Sequence, residues 1–130
     1  MLFSKSLRAS SLGLVALSAL VSVYALTAQA GPSKGTPAAG KTIFASKCVA
    51  CHKADGTGGI KLTGNVTPNW KDPKVWKDPA RAKGGDDYLR ECITLGKSKS
   101  GMVAWGKTGQ LKPAQIEDVI AYINTLAKKQ

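Results

Sequence analysis

Cys48-Val49-Ala50-Cys51-His52 is the stretch on which the reading of this chain turns. Two thiols three residues apart lie on one side of a helical turn, and each can add to one vinyl group of a haem to form a thioether bond. The next residue then aims its imidazole at the iron. This C-x-x-C-H spacing reads as c-type haem attachment. Two other chemistries use the same residue types. A redox dithiol of the thioredoxin kind sits in a βαβ context, and no segment of this chain alternates convincingly as a strand. A Cys₃His zinc set drawn from Cys48, Cys51, His52 and Cys92 would strain the tetrahedron by using adjacent Cys51 and His52. The favoured reading is one haem c, held covalently by Cys48 and Cys51.

The inventory of ligand residues narrows the iron site. His52 is the only histidine, and Met102 is the only methionine besides Met1. Met102 lies 50 residues past His52 in a glycine-flanked loop, Gly101-Met102-Val103-Ala104-Trp105-Gly106. A lone methionine is commonly core filler. An iron with a second open face favours the ligand reading, with His52 and Met102 as the axial pair. Cys92 is the odd third cysteine; its spacing with Leu89 and Ile93 puts it on a buried helix face, as packing rather than as an intermolecular disulfide.

Outward from the motif, the N-terminus does not read as part of the domain. Lys5 and Arg8 precede an apolar run of 15 residues, Leu12 to Leu26, and Ala28-Gln29-Ala30 follows. A basic start, an apolar middle and an Ala-x-Ala end make a secretory signal with cleavage after Ala30. A bilayer span needs about 20 apolar residues, so no stable membrane anchor is expected. The expected organisation is a signal peptide over 1–30, a flexible leader over 31–37 and one domain over 38–130. Of the 19 basic residues only Lys5 and Arg8 precede Gly31, so 17 basic against eight acidic residues leave +9 on residues 31–130. The lysines are scattered rather than clustered as a tract, and export makes nucleic acid an improbable partner; an acidic protein surface fits better.

The domain reads as all-α, three to five short helices joined by glycine-rich loops. A helical pattern begins near Ala38 and carries Ile43, Phe44 and Cys48. Residues 55–69 hold four glycines and a proline, and read as loop. Trp70-Lys71-Asp72-Pro73 is echoed by Trp76-Lys77-Asp78-Pro79, each Asp-Pro marking a turn or helix start. Gly84-Gly85-Asp86-Asp87 reads as a loop feeding a short helix whose apolar face is Tyr88, Leu89, Cys92, Ile93 and Leu95. Last comes a helix opened by Pro113, with an apolar stripe of Ile116, Val119, Ile120, Ile123 and Leu126.

From Ala39 to Leu126 the chain resembles class I c-type cytochromes, of the bacterial periplasmic monohaem type. The resemblance rests on the haem motif after an N-terminal helix, the methionine loop and the C-terminal helix. It implies the cytochrome c fold, with Gly40, Phe44, Val119 and Tyr122 where the family packs its first and last helices together. The family often has Gly-Pro-x-Leu where this chain has Gly59-Ile60-Lys61-Leu62, and the Ile60 carbonyl is expected to take over the bond that orients His52. The proline that often follows the methionine is Val103 here. Trp70, Trp76 and Trp105 are expected around the haem edge, one of them donating its indole N–H to a haem propionate.

These readings together imply a monomeric periplasmic electron carrier and not an enzyme, passing one electron at a time to an acidic redox partner. Lys97 and Lys99, in the loop before Met102, are the steering charges expected near the haem edge. Two alternatives stand beside this: a small peroxidase-like haem enzyme if Met102 is off the iron, and a permanent cytochrome subunit of a dehydrogenase or oxidase. Separate secretion, small size and the lack of a fused domain favour the free carrier.

Overall fold

The computed structural model describes residues 34–127, which form five α-helices and no strands. The signal sequence expected over 1–30, and Lys128 and Lys129, lie outside the described residues. Helix α1 runs Pro37–Lys47, α2 is the single turn Val49–His52, α3 is Pro73–Trp76, α4 is Pro79–Leu95 and α5 is Pro113–Ala127. The all-α architecture expected from the sequence is the one observed. Among the described residues no helix is long and apolar enough to cross a membrane.

The frame is the crossing of α1 over α5. Every residue of the C-terminal stripe (Ile116, Val119, Ile120, Ile123 and Leu126) is buried, because its spacing places all five on one face. Helix α1 buries only Gly40 and Phe44, one turn apart on the face it turns to α5. At Gly40 the backbones touch: a Cβ there would stand 1.9 Å from the Asp118 carbonyl oxygen. Only glycine permits that approach. One turn on, Phe44 meets Tyr122 edge to face, with ring centroids 5.2 Å apart. Residues just before α1, in the segment expected to be a flexible leader, also meet α5. The Thr36 N–H donates to Asp118 Oδ1 at 2.7 Å, and Gly35 lies against the Glu117 carbonyl.

Helix α4 completes the core with Leu89 and Ile93. Arg90, on the same helix, donates from Nε and Nη2 to the two carboxylate oxygens of Glu117 at 2.5 and 3.0 Å, tying α4 to α5. Both Asp-Pro echoes start helices. Asp72 accepts the Lys74 N–H and caps α3, and Asp78 accepts the N–H groups of Ala80 and Arg81 and caps α4. The second helix therefore begins at Pro79, earlier than the expected loop over residues 84–87. That loop survives as a break: Gly85 has φ 49° and ψ −125° inside α4. Leu95, the last residue of α4, is exposed rather than part of the buried face.

Candidate haem site

Two loops and four helices surround one cavity of about 310 Å³. Cys48, Cys51 and His52 line it together with Met102, 50 residues further along the sequence. The end of α1 and the single turn of α2 bring the first three to one wall, since the His52 N–H and the Cys51 N–H both return to the Cys48 carbonyl. Met102 is delivered by the loop after α4. There the Lys97 N–H donates to the Met102 carbonyl and the Met102 N–H to the Lys97 carbonyl, both at 3.1 Å. This reciprocal pair closes the loop in a chain that has Val103 in place of the proline.

His52 is buried, and its Nδ1 has no hydrogen-bond partner. Burial pushes its pKa down to about 4, so the ring is neutral, the state a metal ligand requires. The Ile60 carbonyl expected to orient the ring does not do so. It accepts the Thr67 N–H at 2.9 Å, drawn into a short loop pairing instead. The plane of His52 is set by Trp70, which stacks on it with centroids 4.5 Å apart and planes 14° apart. Trp70 is held there by its backbone N–H, which donates to the Gly56 carbonyl at 3.0 Å.

The pivot of the loop between α2 and α3 is Thr67, which the sequence reading did not single out. Its hydroxyl donates to the Cys51 carbonyl at 2.8 Å and accepts the Ile60 N–H at 3.0 Å. A single threonine in a loop carries no sequence signal for such a role; its partners come from chain reversal at the glycines. Gly58, at φ 56°, is one of these, since a Cβ there would stand 2.2 Å from the Pro68 carbonyl oxygen.

Cys92 lines the cavity and is half-buried, so it faces the site rather than the helix core. The cause is rotation along α4: Leu89 and Ile93, four apart, take the core face, and Cys92 falls beside it. Of the three tryptophans, Trp76 has its indole N–H committed to the Trp70 carbonyl at 2.7 Å. Trp70 and Trp105 are left as the indoles that line the cavity.

The residues present fit a covalently held haem. The cavity is largely apolar, carries two free thiols on one wall, and has a neutral imidazole and a thioether in its lining. Neither competing chemistry fits as well. Burial, then the neighbouring Cys51, push the Cys48 thiol up to about 11, the reverse of what an active redox dithiol needs. Among the described residues no group of three or more His, Cys, Asp or Glu side chains is placed to hold a metal ion, so the Cys₃His set does not assemble.

Residues 37–127 match the family described as Cytochrome c. The chain is 35% identical over 98 residues to the "Cbb3-type cytochrome c oxidase subunit FixP" of Bradyrhizobium sp. (strain ORS 278), an overlap of 69% of this chain and 30% of that protein. A second FixP, from Bradyrhizobium diazoefficiens, is 34% identical over 95 residues, covering 72% of this chain and 29% of the relative. Cytochrome c6 of Limnospira maxima is 32% identical over 95 residues, covering 73% of this chain and 98% of that protein. The chain thus spans under a third of either FixP and nearly all of the cytochrome c6.

Proposed function

The chain belongs to the cytochrome c family, and from that membership we propose that it is an exported, freely diffusing carrier of single electrons in the periplasm. Proteins of this family bind haem c covalently and carry electrons between redox partners. When bound, the haem supplies a reversible one-electron exchange at its iron. The observation that carries the assignment is the convergence of Cys48, Cys51, His52 and Met102 on one cavity.

In this reading Cys48 and Cys51 would hold the haem through two thioether bonds, and His52 and Met102 would ligate its iron. Trp70 fixes the plane of His52 by stacking, and the Lys97–Met102 backbone pair fixes the approach of the thioether. With His52 and Met102 both on the iron, no place would be left for a substrate, and electrons would leave through the rim of the cavity. That rim is apolar at its centre, where exposed Leu62, Val66 and Val103 line the opening. Lys47 also lines the cavity, and residues 31–130 carry +9. An apolar patch among cations suits a brief encounter with an acidic redox protein through a small interface. Export by a signal over residues 1–30, cleaved after Ala30, puts the chain where c-type attachment occurs.

The likeness to FixP favours a second reading, in which the chain serves as the cytochrome of an oxidase assembly. An optical spectrum of the purified protein with carbon monoxide added, for wild type and Met102→Ala, tests the carrier assignment. Wild type should bind the gas slowly and show the weak red band of methionine-ligated ferric haem; Met102→Ala should lose the band and bind the gas rapidly. Equal, rapid binding by both would mean an open iron and would favour the peroxidase-like reading. Recovery of the wild-type protein only within a membrane complex would favour the oxidase reading.

A further inference from the structure

Two cations converge on the cavity wall, and among the described residues neither is paired with a carboxylate. Arg81, in the first turn of α4, and Lys97, in the loop after it, both line the cavity and flank the ring of Tyr88. The Lys97 ammonium lies 4.7 Å from the ring centroid and donates to the Tyr88 hydroxyl at 2.7 Å. The Arg81 guanidinium lies 5.7 Å from the same ring, and its Nη1 donates to the Val75 carbonyl at 3.3 Å. Among the described residues neither makes an ion pair: the ion pairs join Lys71 to Asp55, and Arg90 to Asp87 and Glu117.

Like charges held around one side chain repel, and a carboxylate placed between them would relieve that repulsion. The other charged or titratable groups on this part of the wall do not supply it. Asp78, the one carboxylate lining the cavity, spends an oxygen on the α4 N-terminus through the Ala80 and Arg81 N–H groups. Lys47, from α1, adds a further positive charge, and its ammonium lies over the Trp105 ring at 5.1 Å. Cys92 is a thiol.

We propose that Arg81, Tyr88 and Lys97 form a clamp for a carboxylate, and that the carboxylate is a propionate of the haem itself. The inference rests on the haem assignment above. It gives Lys97 a different task from Lys99, which does not line the cavity. Lys97 holds the cofactor's acid group in place, while Lys99 is free to meet a partner. Tyr88 is a positioning residue: its ring holds both cations at the wall, and its hydroxyl fixes the ammonium. A carboxylate of the redox partner has the same chemistry and is the competing source.

The test is made on the purified holoprotein without any partner. The redox-induced infrared difference spectrum and the reduction potential are recorded for wild type, Arg81→Gln/Lys97→Gln, Tyr88→Phe and Lys99→Gln. The double variant should shift the propionate carboxylate band and lower the potential, since two positive charges that favour the reduced iron are gone. Tyr88→Phe should shift the band in the same sense by less, and Lys99→Gln should leave it in place. A potential that falls while the band stays fixed would mean action through space alone and would overturn the clamp. An unshifted band with an unchanged potential, joined to slower transfer to an acidic partner, would assign the cations to the partner's carboxylate and overturn it as well. The intact mass of each sample shows whether haem is attached, which separates failure of the clamp from failure of the haem assignment.

Discussion

The α1–α5 crossing and the wall of the cavity are built by different physics. The crossing is apolar and tightly packed, with Phe44, Val119 and Ile120 fully buried and two backbones in contact at Gly40. The wall between residues 53 and 72, and again between 96 and 106, has little regular structure. It is held by single hydrogen bonds, Thr67 to Cys51 and Lys97 to Met102 among them, and by helix caps at Asp72 and Asp78. Leu62, Val66 and Val103 stay exposed on it. A frame made by burial stands by its own contacts, whereas a wall made of caps and turns gains its remaining apolar contact from the group it surrounds. Mutations should divide along that line.

The largest effect is expected in the frame. Phe44→Ala removes a side chain that touches α5, Trp70 and Tyr122 together, and should cost about 3–5 kcal/mol in chemical denaturation of the holoprotein. A loss below about 1 kcal/mol would mean that the crossing is not the stabilising frame.

Two glycine substitutions sharpen the contrast, because the same methyl group meets different obstacles. In Gly40→Ala the methyl collides with the Asp118 carbonyl, so the helices must separate, at a cost of about 3 kcal/mol. In Gly85→Ala nothing lies within 4 Å, and the cost is backbone strain at φ 49° alone, about 1–2 kcal/mol. Denaturation midpoints should rank Gly40→Ala below Gly85→Ala; the reverse order would break the distinction between a packed crossing and a hinge in α4.

The smallest effect belongs to the wall. Asp72→Ala removes the cap of a four-residue helix and should cost about 1 kcal/mol. Its more telling readout is amide hydrogen exchange, which should quicken over residues 70–78 and not in α1 or α5. Quickened exchange throughout the protein would show that frame and wall unfold as one unit.

The same division decides what could be read from the sequence. The stripe from Ile116 to Leu126 was legible because burial on a helix leaves a period, and Pro113 marked its start. The haem motif and the lone Met102 were legible because their residue types are scarce in this chain. The stacking of Trp70 on His52 was not, since nothing local says which loop tryptophan will fold back onto which ring. The Gly59-Ile60-Lys61-Leu62 segment misled for the same reason: a carbonyl is present at every residue, and only the fold decides that the one at Ile60 goes to Thr67. Cys92 was placed by spacing alone, which fixes a face to within one residue, and one residue is the difference between core and cavity. Arg81 went unremarked and Tyr88 was placed only on an apolar helix face, because charged and aromatic residues on a helix usually mean a solvated face or core.

The central claim is that this cavity holds a haem bonded to Cys48 and Cys51, and intact mass of the protein recovered from the periplasm tests it most directly. The account predicts the mass of residues 31–130 plus one haem, with the pigment retained in acidified organic solvent and lost from Cys48→Ala/Cys51→Ala. A colourless wild-type protein with the bare polypeptide mass, or one carrying a stoichiometric zinc ion, would contradict it.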